Sequence, residues 1–395
     1  MERISNQERL KPWMGFVLFA VLMALFLTVC VYMQTNWGML GLVLSEVVFL
    51  LLAVGFCLIR KVKIREMFPV KKFTAREFFG SLLLIMSGQT IVIIVTLMVG
   101  ILFPSWMSET TELTEFLYKG NPILAFLIVA VTPAICEEAI HRGAILSCMR
   151  SIKKDWVIVL IMALLFGINH MSPLRFLGTA ILGGIMSFVV IKRNNIVLSM
   201  MMHFANNAVS ALAGIYTAKM NIHMDPTASL TPQVLGTYLM IGISAPFLFV
   251  LGCWMIAPDK HRKIRFLIAG IIAAVMFISG AVLTATSFSA HKTIVQSQMS
   301  YTVTEEEKDV TMDFAVEEER DYSIMVVIVS NQDADYSFVL RDDNGKTLID
   351  SPLKKTLSAK TFTDNMNLPV GSYHTEIRAE DNAVGDNPQI TVVVN

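Results

Sequence analysis

Nine long apolar runs occupy most of this chain, and they dictate the solvent it folds in. They cover residues 13–32, 39–59, 79–103, 122–149, 156–171, 176–191, 196–216, 234–255 and 266–286. Such runs read as membrane-spanning helices, because hydrocarbon offers no partner to an unsatisfied backbone N–H or C=O. The composition agrees: 395 residues, 54% hydrophobic and 16% charged, with a mean hydropathy of +0.59. That balance excludes a soluble protein, and no nucleic-acid partner is expected. A cleaved leader is the alternative for the first run, which follows Arg3, Arg9 and Lys11. The run is long enough to span and has no clear small-residue cleavage site, so it is read as a span.

Basic residues set the orientation. With the N-terminus inside, the internal segments hold Arg3, Arg9 and Lys11, a cluster from Arg60 to Lys72, Arg150 with Lys153 and Lys154, Lys192 with Arg193, and Lys260 to Arg265. The external loops hold little beyond Lys119, Arg175 and Lys219, and one of them carries Glu109, Glu112 and Glu115. Nine crossings then leave the C-terminal region outside, in a multi-pass protein of what reads as a bacterial plasma membrane.

That region differs in kind. Residues 295–395 hold 19 of the 32 acidic residues and 8 of the 32 basic ones. Runs such as 322–329, 336–340, 372–378 and 390–394 are rich in β-branched and aromatic residues, with turn signals between them such as Asp342-Asp-Asn-Gly345. Short strands at this spacing predict an all-β, sandwich-like domain. The expected class is therefore mainly α: a polytopic transmembrane helix bundle with a C-terminal extracytoplasmic β-sandwich. Its parts are a hairpin and basic loop at 1–75, a helix bundle at 76–286 and the β-domain at 287–395. All five cysteines lie in apolar segments, so they suggest neither a disulfide framework nor a metal motif.

The chemistry points into the membrane. Glu137, Glu138 and Arg142 interrupt the apolar run 122–149, and ionisable groups at that depth are costly and face a partner or a polar cavity. On a helix Glu138 and Arg142 share a face, acid first, whereas Glu137 is turned by about 100° and shares its face with His141. One carboxylate is thus neutralised and the other left free. A purely structural ion pair accounts for Glu138 and Arg142 but gives Glu137 no role. His170 and His203 also lie in apolar runs, and Asn207 follows His203 by one turn on the same face. Counting ~1.5 Å per residue, His203 is about 10–12 Å deep and Glu137 and His170 about 20 Å, a mismatch that helix tilt can absorb. Pro133 is placed to bend the helix just before the glutamates.

Glu137-Glu138-x-x-x-Arg142, Phe166-x-x-x-His170 and His203-x-x-x-Asn207, in that order on successive runs, resemble the signature of the CPBP family. These are the CAAX-type prenyl endopeptidases and the bacteriocin-processing or immunity proteins also called Abi. The resemblance covers roughly 120–215. It implies an intramembrane endopeptidase acting on peptide or membrane-protein substrates. Glu137 would activate water as general base with His170 assisting, while His203 and Asn207 stabilise the oxyanion and Glu138 and Arg142 support them. A metal-dependent variant would use Glu137, His170 and His203, ligand types suited to zinc but lacking the His-Glu-x-x-His spacing. Metal-free catalysis is favoured, and no cofactor is certain. The rivals are a non-catalytic scaffold, an immunity protein or a transporter that uses the polar cluster as a binding site. For the β-domain an extracytoplasmic ligand is the expected partner.

Overall fold

The computed structural model describes residues 10–107, 117–118, 120–220, 230–290, 295–306, 308–330, 332–355 and 359–395. Arg3, Arg9, Glu109, Glu112, Glu115 and Lys119, used above to argue orientation, lie outside them. The chain divides into two compact units, Met1–Thr284 and Ala285–Asn395.

The first unit is helical. Among its described residues, seven helices are long and apolar enough to cross a membrane, against the nine runs read from the sequence. Two local causes account for the difference. The 48-residue segment Pro12–Ile59 joins the first two runs without a non-helical linker, yet it folds back at Gly38, whose φ of 54° and ψ of −126° suit glycine. Across that bend Gln34 Nε2 donates to Ser45 Oγ at 3.0 Å, and the Phe26 and Phe49 rings lie 6.0 Å apart. A Cβ at Gly41 would sit 2.0 Å from the Met33 carbonyl oxygen, so the legs close only on glycine. The second cause is the helix Asp155–Asn169, of 15 residues. At ~1.5 Å per residue it is only about 22 Å long, short of the ~30 Å hydrocarbon core.

In chain order the remaining long helices are α1 (Ala75–Leu102), α2 (Pro122–Met149), α3 (Asp155–Asn169), α4 (Pro173–Arg193), α5 (Ile196–Lys219), α6 (Pro232–Ile256) and α7 (Arg262–Ala290). Side-chain caps open several of them. Thr74 and Glu77 form a reciprocal capping box on α1, and Asn121, Ser172, Asn195 and Thr231 cap α2, α4, α5 and α6. Helix α3 packs on α4 through small residues: a Cβ at Gly167 would stand 2.9 Å from the Phe176 carbonyl oxygen. Helix α2 is buried from the second glutamate onward, with every residue from Glu138 to Met149 buried.

Helix α2 is also irregular. It carries two π-helical stretches, Leu127–Val131 and Ala139–Ile145, on either side of the glutamate pair. The first has a readable cause. The α-helical donor to the Val129 carbonyl would be the N–H four residues on, and that residue is Pro133.

The second unit is all antiparallel β, in two sheets. Its strands are β1 (Val295–Ser300), β2 (Asp309–Val316), β3 (Arg320–Val329), β4 (Tyr336–Asp342), β5 (Thr347–Pro352), β6 (Lys354–Lys355), β7 (Lys360–Leu368), β8 (Gly371–Ala379) and β9 (Gln389–Val394). One sheet runs β1-β9-β3-β7-β6 and the other β2-β8-β4-β5. Alternate residues of each face the other sheet: Tyr322, Ile324, Val326 and Ile328 from β3, Phe338 and Leu340 from β4. The Phe338 and Phe362 rings meet across the gap at 5.2 Å. This is the sandwich expected from the turn spacing.

Candidate active site

The site is built where α2, α3, α4 and α5 meet. Glu138, fully buried on α2, is its hub. Its Oε1 accepts from the Arg142 guanidinium at 2.7 Å and lies 2.9 Å from His203 Nδ1 on α5. Arg142 reaches the Gly183 carbonyl of α4 at 3.0 Å with a second nitrogen. Its guanidinium also lies 4.2 Å over the Phe166 ring. A charge this deep is tolerable only because carboxylate, carbonyl and aromatic face together replace its water.

Phe166, on α3, is the packing centre. Its ring makes edge contacts with His141 at 5.1 Å, His170 at 4.9 Å and His203 at 5.9 Å. Gly183 makes room for it: a Cβ there would stand 2.7 Å from the Phe166 Cβ. The motif phenylalanine therefore sets the positions of the arginine and of three imidazoles at once.

Hydrogen bonding settles one face of each histidine. His170 Nδ1 lies 2.9 Å from the Phe166 carbonyl and His141 Nδ1 lies 3.0 Å from the Glu137 carbonyl. A carbonyl only accepts, so in both rings Nδ1 carries the proton, and in the neutral ring Nε2 is left with a lone pair. His203 Nδ1 faces a carboxylate and likewise donates.

The two glutamates differ as their helical positions imply. Glu138 is held by Arg142 and His203. Glu137 is half-buried, with Oε2 out of solvent and without a hydrogen-bond partner, and it lies within electrostatic reach of His170 and Arg142. Glu138 Oε2, His141 Nε2, Asn169 Oδ1 and Asn206 Oδ1 are also buried without a protein partner. Buried polar atoms ordinarily have partners, so these orphaned atoms set the neighbourhood apart from an apolar helix contact.

Asn207 has a duty that its motif position does not reveal. Its Nδ2 donates at 2.9 Å to the Val129 carbonyl, the one left without an α-helical donor by Pro133, and its Oδ1 accepts from Asn206 at 3.1 Å. One amide hydrogen of Asn207 is thus committed to α2.

Sequence reasoning missed Glu46. It lies on the leg of the N-terminal hairpin that follows Gly38, and its Oε2 is buried without a partner. It is within electrostatic reach of Glu137 and of Cys136. A lone glutamate in an apolar run was the available signal, but nothing in its spacing ties it to residue 137. As for a metal, among the described residues no group of three His, Cys, Asp or Glu side chains is placed to hold one. Glu137, His170 and His203 are accordingly not gathered into a ligand set, and His203 Nδ1 faces Glu138.

The comparisons bear on this segment. No curated protein matches the chain. Residues 119–209 match the family model described as Rce1-like, type II CAAX prenyl endopeptidase, a stretch that holds Glu137, Glu138, Arg142, His170, His203 and Asn207. Over that stretch the chain is similar to the CAAX-type prenyl endopeptidases, and the rest of it lies outside the match.

Proposed function

We propose that this chain is an intramembrane endopeptidase that hydrolyses peptide bonds of membrane-associated or peptide substrates, with Glu137 as general base. The observation that carries it is the asymmetry of the glutamate pair: Glu138 is occupied by Arg142 and His203, and Glu137 Oε2 is buried with no partner beside His170. Glu137 takes a proton from water as the oxygen attacks the scissile carbonyl. His170, whose Nε2 lone pair can accept, holds the water's other hydrogen. The oxyanion is met by His203, as an imidazolium donating through Nε2 and balanced by Glu138, and by the second amide hydrogen of Asn207. Glu137 then returns its proton to the leaving nitrogen as the C–N bond breaks.

The bond from Asn207 to Val129 favours a second reading, a non-catalytic scaffold in which these polar residues only lock the helices. Cleavage of a reporter peptide library by the purified protein separates the two. Turnover that disappears in Glu137→Gln supports the protease; wild-type protein with no cleavage of any peptide supports the scaffold. The natural substrate is sought among peptides that accumulate when Glu137 is replaced. In the proposed setting, a bacterial plasma membrane, the N-terminus is cytoplasmic and the β-domain is outside, where it serves as a binding module for an extracytoplasmic ligand.

A further inference from the structure

Helices α1, α6 and α7 line an apolar cavity of about 600 Å³ that is open on one side, and α6 and α7 lie outside the family segment. Ile91 and Val95 of α1, Phe249 and Val250 of α6, and Ile268 and Ile272 of α7 form its walls. Among the described residues that line it, the one charge is Arg265. None of Glu137, His170, His203 and Asn207 lines it.

The end marked by Arg265 carries more positive charge. Trp254 follows the lining residue Cys253, and two guanidinia lie on its ring, Arg76 at 4.5 Å and Arg262 at 4.9 Å. Arg76 also donates to the Trp254 carbonyl at 2.8 Å. Arg265 pairs with Asp259 at 2.7 Å, whereas Arg76 and Arg262 have no carboxylate partner among the described residues. Three guanidinia and one carboxylate leave a surplus of positive charge. It stands where the apolar run of α6 stops and that of α7 begins, the level at which tryptophan and arginine meet lipid headgroups.

We propose that this cavity is a binding site for an anionic phospholipid, with an acyl chain between α1, α6 and α7 and the phosphate against Arg76 and Arg262. The volume lies within the ~300–1,000 Å³ typical of ligand pockets. Basic pockets between membrane helices take anionic headgroups, and guanidinium suits phosphate because it offers paired donors in one plane. A neutral lipid leaves the surplus charge unmatched. A lipid tail on a substrate is disfavoured because the lining includes none of the proposed catalytic residues. The site is independent of the protease reading.

The test is native mass spectrometry of the full-length protein in detergent, titrated with phosphatidylglycerol or with phosphatidylcholine of the same chains. The expected result is a preference for phosphatidylglycerol of roughly tenfold or more. Arg76→Gln with Arg262→Gln should remove that preference, and Arg76→Lys with Arg262→Lys should keep most of it. Ile272→Trp, at a position 46% exposed, should fill the cavity and weaken binding of both lipids. Thermal melts of each variant establish that it is folded. Equal retention of the two lipids by wild-type protein, or undiminished phosphatidylglycerol binding in Ile272→Trp, would overturn the proposal. So would displacement of the phospholipid by a prenylated peptide, which would make the cavity a substrate-tail site.

Discussion

The two adjacent glutamates are chemically inequivalent because one oxygen of Glu138 serves two partners. Replacing Glu138 by Gln strands Arg142 and unseats His203, and breaking a buried ion pair costs about 3–5 kcal/mol. We expect Glu138→Gln to melt well below wild type in detergent, and Glu137→Gln to melt near wild type while losing turnover. Equal melting temperatures for the two would remove the distinction. Asn207→Ala should lower turnover by ~10²–10³ as a lost oxyanion donor. It should also cost about 1–3 kcal/mol, because the Val129 carbonyl loses a donor. A variant that loses activity at full stability would mean that the contact with Val129 is unimportant. Glu46→Gln tests the unforeseen neighbour: a fall in kcat with little change in KM or melting temperature is expected, and unchanged kcat would make Glu46 a residue of the hairpin only.

Helix α2 works through its irregularities. A regular helix would satisfy its own carbonyls, whereas Pro133 and the π-helical stretch before it leave the Val129 carbonyl for Asn207 of α5. π-Helical turns inside α-helices are frequent at functional sites, and here they flank the glutamate pair. Between α3 and α4 the site depends on Gly183, whose missing side chain lets Phe166 sit against Arg142 and the histidines. Gly183→Ala overpacks this contact, which typically costs about 1–3 kcal/mol. Because Phe166 positions several groups, activity should fall further than the loss of stability implies. Cleavage assays below the melting temperature decide the matter, and a fully active, fully stable Gly183→Ala would show that the rings repack freely.

The β-unit has its own apolar core, so residues 295–395 are expected to fold alone, with a strand-type circular dichroism spectrum and a cooperative melt. A disordered spectrum would reduce it to a charged linker. Its acid response follows from its ion pairs. Hydrogen bonding from Arg378 holds the Glu376 carboxyl below its ordinary value of 4.5, aided by the charge of Arg341 at 2.9 Å. Asp335 is likewise held low, chiefly by Asn382 and Lys360. Depressed carboxyls stabilise the fold fully above their ordinary values and lose that contribution as pH falls through the folded ones. The melting temperature should therefore drop below about pH 4.5, and Glu376→Gln should flatten the drop. An unchanged profile in that variant would place the acid sensitivity elsewhere. For the proposed topology, reporter fusions at Asn195 and Asp335 should report opposite sides of the membrane; the same side would mean that the last crossings were misread.

Apolar runs, the acidic β-rich end and the ion pair of Glu138 with Arg142 were all legible along the chain, because each depends on neighbours in sequence. Burial in lipid selects long apolar stretches, and a helix brings residues four apart together whatever surrounds it. The three motifs in register pointed to the protease family for the same reason. Tertiary structure decided the rest. Which carboxylate oxygen meets His203, which donor answers the Val129 carbonyl and which glutamate from the hairpin approaches Glu137 all depend on how helices are rotated and how closely they pack. Those settings come from Gly38, Gly183 and Phe166, whose effects are contacts between elements. A one-dimensional pattern records that such residues are small or aromatic, but only the packed bundle fixes what they bring together.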